Sequence, residues 1–110
     1  MSKKIRLADL PDFDMAEHLK SPEDIAAYLS LVIDEGDDAE LAHALGVAAR
    51  ARGMSEVARA AGMTREGLYK ALRPNAHPRF ETVRRVCLAL GVHLHAAADG
   101  NGTVGPVGPQ

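Results

Sequence analysis

At 110 residues the chain has the length of one domain, and 46% hydrophobic with 25% charged residues is the balance of a soluble globular protein. The single cysteine, Cys87, excludes an internal disulfide, a CxxC redox pair and a cysteine-rich zinc site, and no apolar run approaches the roughly 18–20 residues that span a bilayer. The net charge of −2 hides a split: residues 1–48 carry four Lys/Arg against eleven Asp/Glu (−7), residues 49–85 nine against three (+6), and Asp99 adds the last −1.

Residues 1–11 read as a loose N-terminal arm ending at Pro11, and MSKKIRLADLPDFD lacks the apolar stretch and cleavage site of a signal peptide, so a cytoplasmic location is expected. FDMAEHL suits a short helix that buries Phe13 and Leu19. Ser21-Pro22-Glu23-Asp24 is a helix start: a hydroxyl cap, a proline in the first turn and two acids at the positive end of the dipole. Ile25, Leu29, Val32 and Ile33 then recur at helical spacing up to Gly36. Asp37-Asp38-Ala39-Glu40 opens the next helix in the manner of a capping box, with Leu41, Leu45 and Ala48 as its inward face, Arg50 and Arg52 in its last turn, and Gly53 as its stop. With only four aromatics in the chain, Ala-rich faces and close helix packing are expected.

Three shorter helices follow. Ser55 is expected to cap one running to about Ala61, Thr64 the next, which ends near Leu72 before Arg73-Pro74-Asn75. Phe80, Val83, Val86, Cys87 and Leu90 mark the last, closed by Gly91. Val92-His93-Leu94-His95-Ala96 alternates with period two and predicts one short strand, which needs a partner edge. The last helix and this strand are therefore the candidate dimer interface. Residues 99–110 read as a disordered tail, since four Gly and two Pro fall between Gly100 and Gln110 with no apolar period. Residues 12–98 are left as the domain.

The strongest motif is MSEVARAAGMTREGLYKALR, residues 54–73. Ala58 lets two short helices cross closely, and Gly62, four positions on, can take the left-handed turn conformation. Val57, Leu68 and Leu72 anchor both helices, leaving Arg65, Glu66, Tyr69, Lys70 and Arg73 on the outer side of the second. This is the layout of a helix-turn-helix, whose second helix enters the DNA major groove. The bias toward Lys and Arg is centred on the same stretch.

Phe13-Asp14, Glu17-His18-Leu19, Ile25, Tyr28-Leu29 and Gly36-Asp37 resemble the first half of one antitoxin group. Ala58, the run from Gly62 to Leu72, Pro78-Arg79-Phe80, Thr82-Val83 and Ala89-Leu90-Gly91-Val92 resemble the addiction module antidote proteins, HigA-like antitoxins with an Xre-type helix-turn-helix. The resemblance covers about residues 13–96 and is most specific at REGLYKAL. It implies an all-α, Xre/lambda-repressor-like domain of five to six helices with a short C-terminal β-strand. It also implies a homodimer that neutralises a cognate RelE/ParE-superfamily toxin and represses its own operon, the alternative reading being a stand-alone Xre-type transcriptional regulator without a toxin partner. Asn75-Ala76-His77 departs from the Gly-rich turn the family leads one to expect, and nothing beyond Gly100 matches.

Within that frame Arg65, in the first turn after the Thr64 cap, is placed to give guanine two hydrogen bonds, and Glu66 to accept from cytosine N4. The bland reading of the same face is a solvated Glu66–Lys70 pair at i,i+4. Tyr69 suits a thymine methyl or a phosphate, or simply half-burial. Lys70 and Arg73, later in the helix, suit phosphates, and Ser55 a phosphate or only a cap. The acidic first half is either a solvated surface or the docking face for a basic toxin. His93, His95 and Cys87 do not complete a zinc set, no catalytic triad or Gly-rich phosphate loop is recognisable, and no enzyme activity, metal or cofactor is expected.

Overall fold

The computed structural model describes residues 11–99. They form six α-helices: α1 (Asp12–His18), α2 (Pro22–Glu35), α3 (Asp38–Arg52), α4 (Met54–Ala60), α5 (Arg65–Leu72) and α6 (Phe80–Ala89). The expectations for the arm before Pro11 and for the tail after Asp99 lie outside the described residues, as does the burial expected for the Phe13 side chain.

Local chemistry sets most of these boundaries. The Ser21 hydroxyl accepts from the Asp24 amide at 3.1 Å at the start of α2, and Gly36 ends that helix in the left-handed region. The Asp37 carboxylate accepts from the amides of Ala39 and Glu40 at the start of α3. The cap expected at Ser55 is not made. Gly53 both ends α3, donating its N–H to Ala49 O at 2.8 Å, and stands as N-cap of α4 with no linker between them. Ser55 is consequently an exposed residue inside the first turn of α4.

Helix α3 is the axis of the bundle and packs against α1, α2, α4, α5 and α6. The single inward face expected for it is replaced by burial nearly all round: Ala42 and every residue from Ala44 to Ala49 are buried. The reason is size, because alanine and glycine side chains let neighbouring helices approach from several directions at once. Where Gly46 faces α5, an added Cβ would lie 3.5 Å from the Leu72 carbonyl oxygen. Around this axis the core continues through Ile25, Tyr28, Leu29, Val57, Leu68, Val86 and Leu90.

Two residues of the apolar periods read from the sequence lie outside the core. Ile33 is 44% and Phe80 69% exposed, at the end of α2 and the start of α6. Nor do the described residues contain a strand. Val92 is buried and donates its N–H to Cys87 O at 2.8 Å, His93 is exposed and Leu94 half-buried, so the alternation read from the sequence persists while the extended segment lies unpaired. A ladder needs a second edge, and the described part of one chain supplies none.

Candidate nucleic-acid interface

Helices α4 and α5 are joined by Ala61–Thr64. Ala58, 2% exposed, is buried at their junction, and its carbonyl accepts from the Met63 amide at 2.8 Å. Gly62 turns the chain with φ 74, a conformation that a side chain rarely adopts. The Thr64 hydroxyl then accepts from the Gly67 amide at 2.9 Å, which fixes the first turn of α5. Gly67 is part of this cap: a Cβ on it would stand 3.0 Å from Thr64 Oγ1 and force the cap to give.

Leu68 (0% exposed) and Leu72 (3%) hold α5 on the core, and the opposite side is left to Arg65, Glu66, Tyr69 and Lys70, all exposed. Arg73 follows as C-cap, exposed and extended before Pro74. Two of these side chains are brought together. The Arg65 guanidinium lies 5.2 Å from the centre of the Tyr69 ring and donates to its hydroxyl at 3.4 Å, a cation–π contact one turn apart. Among the described residues Glu66 and Lys70 form no ion pair; the pairs present are His43–Asp12 at 2.8 Å and Arg85–Glu81 at 3.4 Å. Ser55 and Thr64 are exposed, on α4 and at the head of α5.

Sequence reasoning did not single out Arg79 and Arg84, exposed cations at the start of α6 and within it. The signal was present, since both count toward the +6 of residues 49–85. Two ionisable side chains are buried away from this surface. Burial pushes the Cys87 thiol up to about 11, so it stays protonated and unreactive at neutral pH. Tyr28 is pushed up to about 12 by burial and by the nearby carboxylates of Asp12 and Glu40.

The described residues thus form a small all-helical domain with acids at both ends of α2 and at the start of α3, and cations from the end of α3 through α6; no described helix is long and apolar enough to cross a membrane. Residues 9–98 match the model of a family described as "probable addiction module antidote protein", and the chain belongs to that family. A protein of Haemophilus influenzae, described as uncharacterized, is 51% identical over 85 residues, covering 77% of this chain and 88% of its own length. No solved structure matches the chain. An antidote acts on a toxin, so a toxin is its partner in general terms.

Proposed function

We propose that the protein is the antitoxin of a type II module, binding a RelE/ParE-superfamily toxin directly and repressing its own operon as a cytoplasmic homodimer. In this reading it is a HigA-like protein with an Xre-type domain and no enzymatic activity of its own. Membership of the antidote family supports the antitoxin role. The repressor role rests on one observation above all: α5 is held by Leu68 and Leu72 behind a tight glycine turn and exposes Arg65, Glu66, Tyr69 and Lys70 together.

With α5 in the major groove, Arg65 and Glu66 at its N-terminal end meet base edges, and Tyr69 beside Arg65 meets a thymine methyl or a phosphate. Lys70 and Arg73 contact phosphates, and the α4 residue Ser55 and the cap Thr64 approach the backbone of the duplex. The acidic half stands away from DNA and meets the toxin. Its exposed Glu23, Asp24, Leu31 and Asp34 on α2 combine charge with one apolar anchor, a composition suited to a basic partner.

Two assays test the two roles separately. Co-expression with the neighbouring gene product, and purification through a tag on that partner, should bring down the full chain. Binding to duplex DNA from its own promoter should be tighter than to random duplex and should weaken steeply with salt. Failure to bind any DNA, alone or with toxin, removes the repressor role and leaves the antitoxin role standing.

A further inference from the structure

A groove among the described residues lies between the α2–α3 corner and the start of α6, with a volume of about 590 Å³. Its apolar surface comes from Ile33, Leu41, Phe80, Val83 and Leu94. Phe80 is 69% and Ile33 44% exposed, so a stripe with the spacing of a core is left open at this place. We infer that this groove is the seat of a second copy of the chain, the Phe80 ring of each protomer entering the groove of the other. The inference rests on the dimeric reading above and gives that dimer its interface.

Three observations favour a second copy over the toxin. The first is shape: an exposed ring stands beside an apolar hollow on the same molecule, and a two-fold axis brings knob to hollow twice. The second is charge. From Ile33 to Leu41 the chain carries five acids and no Lys or Arg, and Asp38 lines the groove on that side. The opposite side is lined by His77, Pro78, Phe80 and Val83, with the exposed cations Arg79 and Arg84 next to them in the chain, and the acid of that stretch, Glu81, is engaged by Arg85. A two-fold copy sets the acidic wall of each protomer against the basic wall of the other, whereas a basic toxin would be attracted by one wall and repelled by the other. The third is the extended segment that supplies Leu94, His95 and Ala96 to the groove: the backbone amides from His93 to Ala96 make no hydrogen bond with any described residue and remain open to a partner's edge.

Light scattering on the full chain without DNA or toxin tests this independently of both proposed activities. The wild type should run at twice 11.7 kDa at micromolar concentration. Phe80→Asp should raise the dissociation constant at least about a hundredfold, because each interface loses two rings, and circular dichroism should show the fold intact since the side chain is exposed. Asp38→Arg should weaken the dimer about tenfold, and the double variant Asp38→Arg/Arg79→Asp should recover most of that loss. A dimer indifferent to Phe80→Asp, or a double variant weaker than both singles, overturns the proposal. A monomer at every concentration also overturns it, and if Phe80→Asp then abolishes capture by purified toxin, the groove is the toxin's.

Discussion

Helix α5 and the Phe80 rim are both exposed, but for different physical reasons. On α5 the apolar positions Leu68 and Leu72 are covered and polar or amphipathic side chains face out, the arrangement expected of a surface helix. At the rim, Ile33 and Phe80 occupy core positions in their helices' periodicity, yet the described chain does not cover them. Periodicity identifies which side chains are apolar and aligned. Whether the covering surface belongs to the same chain or to another molecule is decided by tertiary geometry, which a one-dimensional pattern does not contain. The α5 face is therefore read as a surface for a polar, charged ligand and the rim as one for an apolar contact.

The sharpest way to break that contrast is to mutate neighbours within α5. Leu68→Ala removes a fully buried side chain and should cost about 2–5 kcal/mol in urea denaturation. Tyr69→Ala, one residue on and 38% exposed, should leave denaturation within about 0.5 kcal/mol while weakening DNA binding. If both variants were equally destabilised, Tyr69 would belong to the core and the outer face of α5 would shrink.

Alkali probes the acidic side of the molecule in the same spirit. The folded state holds the Tyr28 hydroxyl at about 12 against 10.0 when free, so its contribution is fully present below pH 10 and is lost as pH rises toward 12. Up to about 2 kcal/mol should disappear over that window, and Tyr28→Phe should flatten this part of the pH–stability profile. An unchanged profile in the variant would assign the alkaline loss to other groups, the buried Cys87 thiol first among them.

A smaller effect is expected at Thr64. Thr64→Ala leaves the Gly67 amide without its acceptor and should cost about 1 kcal/mol of stability, with a larger proportional loss of DNA affinity as the first turn of α5 frays. Thr64→Ser should restore both. A serine variant that regains stability without DNA affinity would mean that the threonine methyl itself touches the ligand.

How far the sequence is legible follows the range of the interaction concerned. Ser21, Asp37 and Thr64 cap their helices as read because capping involves residues two or three apart. Ser55 fails because Gly53 alone joins α3 to α4, leaving no residue between the helices for a side-chain cap. The all-round burial of α3 depends on five neighbours that its own pattern does not encode, and period-two alternation over 92–96 does not by itself supply the second edge that a strand needs, so the segment is no strand among the described residues. At the candidate site the exposed positions of α5 were readable from spacing. The stacking of Arg65 on Tyr69 was not, because spacing allows that contact without choosing it over the alternatives.

The central claim is that α5 reads DNA through its N-terminal end, and comparing Arg65→Ala with Lys70→Ala tests it most directly. Both positions are exposed cations, so a purely electrostatic surface would treat them alike, and removing either charge from a phosphate would lower the salt slope by about one. Fluorescence anisotropy on promoter and random duplexes at several salt concentrations separates the two cases. The account predicts that Arg65→Ala costs about 1–3 kcal/mol on promoter DNA and much less on random DNA, collapsing the ratio of the two affinities, while Lys70→Ala weakens both about equally. Equal losses on both duplexes for Arg65→Ala would contradict it and mean that α5 meets the duplex by another face.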